Sequence, residues 1–88
     1  MKNVVVGSLE SSDCLIQLRT AQTLKIHIES VVYDAYHEQI EAVIKKLIEE
    51  HQLNVVEVYC QDKGALEYTI KARLTTAIER FKEGENES

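Results

Sequence analysis

The chain is predicted to fold as an α+β protein, a two-layer sandwich with the element order β-β-β-α-β-α. Two changes in hydrophobic period predict this. Residues 24–29 alternate between apolar and polar side chains, which is typical of a strand with one wet face, whereas apolar side chains recur at helical spacing from residue 34. A strand pattern returns over residues 53–60, and a second switch from strand to helix follows at residues 62–64. We expect a four-stranded, largely antiparallel or mixed sheet with two amphipathic helices packed on one of its faces.

Four strands are predicted, over residues 4–9, 13–20, 24–29 and 53–60. Because successive side chains of a strand point to opposite faces, one face of the sheet should be apolar. The side chains expected on apolar faces are Cys14, Ile16, Leu18, Leu24, Ile26, Ile28, Val56, Val58 and Cys60. Lys25, His27 and Glu29 should then face water. Gly7 in the first strand indicates a bulge or a close approach of two backbone segments.

Two helices are predicted, one from the candidate N-cap Asp34 to about residue 51 and one that opens at residues 62–64. Their apolar stripes are expected to be Tyr36, Ile40, Val43, Ile44, Leu47 and Ile48 in the first helix, and Leu66, Ile70, Leu74, Ala77, Ile78 and Phe81 in the second. Asp62 is a candidate cap and Gly64 supplies an unusual backbone angle at the break. We expect a single domain over residues 1–82, followed by a disordered acidic tail over residues 83–88.

Length, charge and composition exclude several classes of protein. The 88 residues leave room for one domain, and 15 acidic against 10 basic side chains give a net charge of -5. That balance argues against nucleic acid as a partner; it suits docking on basic surfaces, although solubility alone would also explain it. No apolar run approaches the roughly 20 residues that span a bilayer, and the chain lacks a signal-peptide pattern, so no membrane association and a cytoplasmic location are expected.

The chemistry of the side chains predicts a non-catalytic protein. Two cysteines, Cys14 and Cys60, are too few for a disulfide framework or a four-ligand metal site, so no metal is expected. They lie on apolar strand faces while His27 lies on the wet face, which makes a Cys-His nucleophile pair improbable. His37 and His51 are interpreted as surface residues. The sequence has no Gly-rich phosphate loop, His-x-x-x-His pair or calcium-binding loop.

One stretch suits a different role. Gly7-Ser8-Leu9-Glu10-Ser11-Ser12-Asp13 places small polar residues between two apolar runs, the pattern of an exposed turn that joins two strands. A carrier protein must present one hydroxyl at an exposed tip, and this turn offers two candidates, Ser11 and Ser12. An ordinary turn with no function has the same pattern, so the turn alone does not decide between the two interpretations.

The stretch at residues 7–13 resembles the acyl carrier (gamma) subunit of citrate lyase when it is taken together with Gln61-Asp62-Lys63-Gly64-Ala65-Leu66 and Ala72-Arg73-Leu74. The resemblance extends from Val6 to about Arg80. In that family the serine directly after Leu-Glu carries a prosthetic group, which implies Ser11 here. A glycine commonly follows that serine, whereas this chain has Ser12, so Ser12 is the second candidate.

The resemblance implies a phosphodiester-linked 2'-(5''-phosphoribosyl)-3'-dephospho-coenzyme A on the serine, whose thiol bears acetyl or citryl during cleavage of citrate to acetate and oxaloacetate. It implies three partners: an alpha subunit that exchanges acetyl for citryl, a beta subunit that cleaves citryl and binds a divalent cation, and a prosthetic-group transferase. The chain itself would be a non-catalytic subunit in citrate fermentation. Lys63 has two interpretations, as part of a structural turn or as a contact to the arm or a partner.

Two alternatives stay open. The acyl carrier subunit of malonate decarboxylase carries the same kind of group, although residues 62–66 fit the citrate lyase pattern better. A small α+β regulatory or scaffolding module, whose serine turn is only a turn, is the alternative from a different class.

Overall fold

The strands and helices follow one another in the predicted order, in a computed structural model that describes residues 2–31 and 33–83. The side chains of residues 33–35 lie outside this description. The elements are β1 (Asn3–Gly7), β2 (Cys14–Thr20), β3 (Lys25–Ser30), α1 (Tyr33–Glu50), β4 (Val56–Asp62) and α2 (Glu67–Glu83).

The four strands form one mixed sheet in the order β1-β2-β4-β3. β2 pairs antiparallel with β1 and with β4, and β3 pairs parallel with β4. Parallel neighbours need a long crossover connection, and α1 supplies it between β3 and β4. The register places Cys14 opposite Asp62 and Asp62 opposite Ser30. The β1–β2 turn, the end of β4 and the end of β3 therefore meet at one end of the sheet.

Both helices pack on one face of the sheet, as predicted. The sheet buries Val4, Val6, Cys14, Ile16, Leu18, Val56, Val58 and Cys60 against Ile40, Ile44 and Ile48 of α1 and Ile70, Leu74, Ala77, Ile78 and Phe81 of α2. Ile26 and Ile28 are partly buried against this core while Lys25, His27 and Glu29 are exposed. The alternation predicted for the third strand is confirmed.

The predicted start of the fourth strand is wrong by three residues. α1 ends in a Schellman motif, in which the Leu53 amide donates to Ile48 O (3.0 Å) and the Gln52 amide to Glu49 O (3.0 Å). Gln52 takes the left-handed conformation that this motif requires (φ 56°). Leu53 therefore packs against the core as part of the helix end, and β4 begins only at Val56. At its other end β4 runs on through Asp62 instead of stopping at residue 60.

Further details differ from the prediction at the ends of the elements. β1 ends at Gly7, whose φ of 102° turns the chain out of the strand. α1 already includes Tyr33, so Asp34 lies in the first helical turn instead of before it. Tyr36 and Leu66 were placed in the apolar stripes, yet they are 50% and 60% exposed. Glu83 belongs to α2, and the rest of the predicted tail lies outside the described residues.

Within the described part of the chain, no helix has the length and apolar character needed to cross a membrane.

Candidate functional site: the serine turn

The serine turn, defined as residues 8–13 between β1 and β2, is a tight reversal of the chain. The Asp13 amide donates to Glu10 O (3.1 Å), which makes Ser11 and Ser12 the two central residues of a β-turn. Ser12 has a positive φ of 67°. A positive φ at the second central residue is the feature of type II turns, and it favours glycine at that position. Ser12, for which the resemblance implies a glycine, thus has a backbone angle that glycine adopts most easily.

The start of the turn requires a glycine. Gly7 has a φ of 102°, and a Cβ built on it would overlap the carbonyl oxygen of Cys14. The Ser8 amide donates to the same oxygen at 3.1 Å. The close backbone approach predicted at Gly7 is therefore confirmed.

Asp13 holds the turn against α2. Its carboxylate accepts two hydrogen bonds from Arg73, one from Nε to Oδ1 and one from Nη2 to Oδ2, both at 3.0 Å. It also accepts the Ser8 hydroxyl (2.6 Å) and the Cys14 amide (2.7 Å). These bonds, with those from Arg73 the largest cause, lower the pKa of Asp13 to about 2. Such a bidentate pair fixes both the distance and the orientation of the two side chains.

A second set of bonds ties the turn to the segment after β4. The Ser12 amide donates to Lys63 O (2.8 Å), and the Lys63 amide donates to Asp13 O (2.9 Å). The two motifs that are fifty residues apart in the sequence are thus joined by backbone hydrogen bonds. Lys63 takes part through its main chain, and its ammonium group is partly exposed and forms no ion pair with the residues that the structure describes.

The prediction that Asp62 caps the second helix is wrong. Its carboxylate does accept a hydrogen bond from a backbone amide three residues later, as a cap would, but in a turn before the helix. α2 begins at Glu67, so Asp62 lies five residues before it. Its carboxylate accepts the Ala65 amide (2.8 Å) and the Ser30 hydroxyl (2.7 Å), and the residue is 2% exposed. Asp62 therefore stabilises the turn after β4 and links it to the end of β3. Gly64 has the predicted unusual backbone angle, with a φ of 92°.

The two candidate hydroxyls lie at the tip of the serine turn. Ser11 and Ser12 are exposed, and neither hydroxyl has a hydrogen-bond partner among residues 2–31 and 33–83. The third serine differs, because the Ser8 hydroxyl donates to Asp13 and accepts the Glu10 amide (3.3 Å). The structure thus presents two free hydroxyls on a turn whose base is fixed.

The candidates for catalysis stay apart. His27 lies on the open face of the sheet, where its Nε2 is 2.8 Å from Glu57 Oε2 and its ring stacks on Tyr59 with the ring centroids 4.6 Å apart. Cys14 and Cys60 are buried on the other face, and a hydrogen bond with Cys14, together with burial, raises the pKa of Cys60. Over the described ranges, no three His, Cys, Asp or Glu residues lie close enough together to hold a metal ion.

The pair of Asp13 and Arg73 is the part of the site that the sequence did not predict. The two residues are sixty positions apart, so no local pattern connects them. One signal was available: Arg73 stands between the buried Ile70 and Leu74, at the edge of the apolar stripe of α2. In the structure this edge of α2 lies beside the start of β2, and Arg73 there bonds to Asp13, the residue directly before β2.

A small mixed sheet that presents two exposed hydroxyls on a turn with a fixed base has the features that a carrier protein needs. The family model described as "ACP: Malonate decarboxylase delta subunit (MdcD)" matches residues 1–81. The chain belongs to this acyl carrier family, which it shares with the citrate lyase acyl carrier proteins that it resembles.

Curated relatives match nearly the whole chain. It is 33% identical to the citrate lyase acyl carrier protein of Treponema denticola, over 93% of this chain and 94% of that protein. It is 42% identical to the citrate lyase acyl carrier protein of Lactobacillus acidophilus, over 90% of this chain and 82% of that protein.

A solved structure has the same fold. A chain of the crystal structure of a Pseudomonas malonate decarboxylase hetero-tetramer in complex with malonate superposes with a TM-score of 0.77. The match covers 90% of this chain and 82% of that chain. At 19% sequence identity this similarity describes the fold alone.

Proposed function

We propose that this chain is the acyl carrier subunit of citrate lyase. The observation that carries the proposal is the 33–42% identity to citrate lyase acyl carrier proteins over about nine-tenths of the chain. The chain would act in the cytoplasm as a non-catalytic subunit. Its partners would be the alpha (acyl transferase) and beta (citryl lyase) subunits and the transferase that attaches the prosthetic group.

Ser11 is the proposed attachment site, and Ser12 is the second candidate. Ser11 directly follows Leu9-Glu10, its hydroxyl is exposed, and no hydrogen bond within the described residues competes for it. The positive φ of Ser12 supports the assignment, because it marks Ser12 as the position where the family commonly has glycine and where no hydroxyl is required.

The turn suits a phosphodiester-linked 2'-(5''-phosphoribosyl)-3'-dephospho-coenzyme A. Lys63 is joined to Ser12 through its main chain, and Arg73 compensates the charge of Asp13 at the base of the turn. The group would supply the thiol that carries acetyl and citryl. The residues of this chain would present it: the Asp13–Arg73 pair and the bonds to Lys63 fix the base of the turn, while the exposed tip leaves the arm free to reach two partners.

The mass of the protein purified from its native host tests the carrier function. A covalent adduct of the mass of the phosphoribosyl-dephospho-coenzyme A group supports it, and an unmodified chain in active citrate lyase would refute it. An unmodified chain with no associated lyase activity would support the regulatory or scaffolding module instead.

Ser11→Ala tests the attachment site. The variant should stay folded, because an exposed turn hydroxyl contributes little to stability, but it should remain unmodified by the transferase and inactive with the alpha and beta subunits. Ser12→Ala is the matched control and should be modified and active. Peptide mapping of the wild-type adduct checks the same point, and an adduct on Ser12 would contradict the assignment.

Malonate decarboxylase is the second candidate system, favoured by the family description and by the shared fold of the Pseudomonas hetero-tetramer chain. Reconstitution separates the two systems, since they use different partner subunits. The loaded chain should restore citrate cleavage with citrate lyase alpha and beta subunits, and it should not restore malonate decarboxylation with the subunits of that enzyme.

A further inference from the structure

An apolar groove lies beside the serine turn, between α1 and the segment that leads into α2. We call it the α1–α2 groove, and it has a volume of about 260 Å³. Its apolar lining residues are Tyr36, Ile40, Val43, Ala65, Leu66 and Ile70. Tyr36 and Leu66 are the two stripe residues that do not enter the core, and they are 50% and 60% exposed. The groove therefore leaves apolar surface in contact with water.

The mouth of this groove is close to Ser11. The Ser12 amide donates to Lys63 O at 2.8 Å, and the two neighbours of Lys63, Asp62 and Gly64, both line the groove. With 3.8 Å between consecutive Cα atoms, the path from Ser11 across this bond to Gly64 is on the order of 10 Å. The pantetheine follows the phosphoribosyl, ribose and diphosphate units of the arm, so the arm is long enough to fold back from Ser11 into the groove.

The lining determines which ligand fits. Most of its side chains are apolar, and Gln39 adds an amide that can both donate and accept hydrogen bonds. The charged residues of the lining, Asp62 and Glu67, are both acidic; Glu67 pairs with Lys71 at 3.0 Å. A pantetheine chain, in which methyl and methylene groups alternate with two amides, has the matching chemistry. No cation is among the residues that line the groove, so a carboxylate on the acyl group would lose hydration there without gaining an ion pair and would be disfavoured.

We propose that the α1–α2 groove binds the pantetheine part of the arm attached at Ser11 when its thiol carries an uncharged acyl group such as acetyl, and releases it when the acyl group is anionic. This inference rests on the proposed function. A tethered ligand has an effective concentration in the millimolar range. A site with a dissociation constant of about 1 mM for the free chain therefore holds the tethered one a substantial part of the time.

Methyl NMR spectra of the acetylated protein test the groove directly. Against the unmodified protein, the methyl signals of Val43, Leu66 and Ile70 should shift, while those of Val5 on the opposite face of the sheet should not. With a succinyl group in place of acetyl, the signals should return toward their unmodified positions. Groove signals that are the same in the unmodified and acetylated proteins would overturn the proposal, and so would identical shifts from acetyl and succinyl.

Hydrolysis of the acetyl thioester in the isolated carrier gives a second readout. Leu66→Ser should raise the hydrolysis rate by roughly twofold to tenfold, since a docked thioester is shielded in proportion to its occupancy. The matched control is Tyr68→Ser, a change at a 70% exposed side chain outside the groove, and it should leave the rate unchanged. Equal rates in wild type and Leu66→Ser would overturn the proposal. A Leu66→Ser variant that loses only activity with the partner subunits would show that a partner covers the groove.

The groove is also testable if Ser11 carries no arm in the host protein, an outcome that refutes the proposed function alone. The reagent for the Ser11→Cys variant is S-acetyl-pantetheine with a bromoacetyl group on its terminal hydroxyl. The new thiolate attacks the bromoacetyl carbon, which forms a thioether and releases bromide. Cys14 and Cys60 are buried and do not compete. The same methyl shifts should appear in this conjugate, and their absence would overturn the groove inference independently.

Discussion

At the scale of single residues, the serine turn depends on a non-glycine residue in a left-handed conformation. Ser12 has a φ of 67°, which for an L-residue costs roughly 1–2 kcal/mol relative to an unstrained conformation. The sequence marked Ser12 as a departure from the family pattern, but a departure in sequence does not reveal a backbone angle. Two hydrogen bonds of the folded chain fix that angle: the one from the Asp13 amide to Glu10 O and the one from the Ser12 amide to Lys63 O.

Replacing Ser12 with glycine should therefore stabilise the protein. The relief of strain exceeds the entropy that glycine adds to the unfolded chain, so the free energy of unfolding should rise by up to about 1 kcal/mol. Ser11→Gly is the matched control and should destabilise, because Ser11 does not have a positive φ. Urea unfolding of both variants measures the difference. A Ser12→Gly protein less stable than Ser11→Gly would contradict this account of the turn.

At the scale of elements, the site is built where the serine turn, α2 and the segment after β4 meet at one end of the sheet. The serine turn contacts α2 through Asp13 and Arg73, and it contacts the segment after β4 through Lys63. Sequence patterns predicted each element and its buried face, because apolar periodicity is a local property. They did not predict these contacts, which depend on the order β1-β2-β4-β3 and hence on tertiary structure.

The same limit explains the misplaced boundary between α1 and β4. Leu53 and Val55 extend the apolar stretch of β4 toward the helix, so the sequence alone extends β4 back to residue 53. In the structure Leu53 completes the Schellman motif and Val55 is 49% exposed. A helix end that uses Gln52 in place of the usual glycine carries little sequence signal.

The link between the serine turn and α2 predicts an order of stability. Asp13→Ala should lower the melting temperature more than Arg73→Ala, because Asp13 also accepts bonds from Ser8 and from the Cys14 amide. Arg73→Lys should recover only part of the loss, since an ammonium group cannot form the bidentate contact. Thermal unfolding measured by circular dichroism gives the order. Equal melting temperatures for Arg73→Ala and wild type would show that the pair does not hold the turn.

The pair should also position Ser11 for modification. Arg73→Ala is expected to slow prosthetic-group transfer to Ser11, with partial rescue by Arg73→Lys. The control is Arg19→Ala, which removes an arginine-carboxylate contact to Glu57 at the end of β2 away from the serine turn and should leave the rate of transfer unchanged.

Residues 62–64 give a second prediction at the scale of elements. Asp62→Ala removes the buried carboxylate that accepts hydrogen bonds from the Ser30 hydroxyl and the Ala65 amide, which should lower the free energy of unfolding by about 1–3 kcal/mol. Lys63→Ala keeps both backbone bonds to the serine turn and should leave stability unchanged. If Lys63→Ala also leaves transfer to Ser11 and citrate cleavage unchanged, its ammonium group contacts neither the arm nor a partner; a loss of turnover with normal stability would establish such a contact.

At the scale of the whole molecule, two carboxylates connect elements that are distant in the sequence. Asp13 joins the serine turn to α2. Glu57 in β4 accepts hydrogen bonds from Arg19 of β2 (3.0 Å) and from Tyr59 (3.0 Å), and lies 2.8 Å from Nε2 of His27 in β3. Arg19 is the largest cause that lowers the pKa of Glu57 from 4.5 to about 2, as Arg73 is for Asp13, from 3.8 to about 2. Glu57 lies roughly 17 Å along β4 from Asp62, which is at the end of the strand next to the serine turn. The contributions of Glu57 and Asp13 to stability should therefore be independent.

These shifts predict how stability depends on pH. A carboxyl group whose pKa is lower in the folded state binds more protons when unfolded, so its contribution to stability is complete above the unfolded pKa and is lost as the pH falls through the folded one. The free energy of unfolding should therefore be nearly constant between pH 5 and 7, decline from about pH 4.5, and still be falling at pH 2. Asp13→Asn and Glu57→Gln should each be less stable than wild type at pH 7 and each lose part of this decline. The double variant should have the flattest profile, with the two effects adding. Urea unfolding at half-unit steps from pH 2 to 7 measures all four proteins, and variant profiles that run parallel to wild type between pH 4.5 and 2 would show that these two carboxylates do not govern acid unfolding.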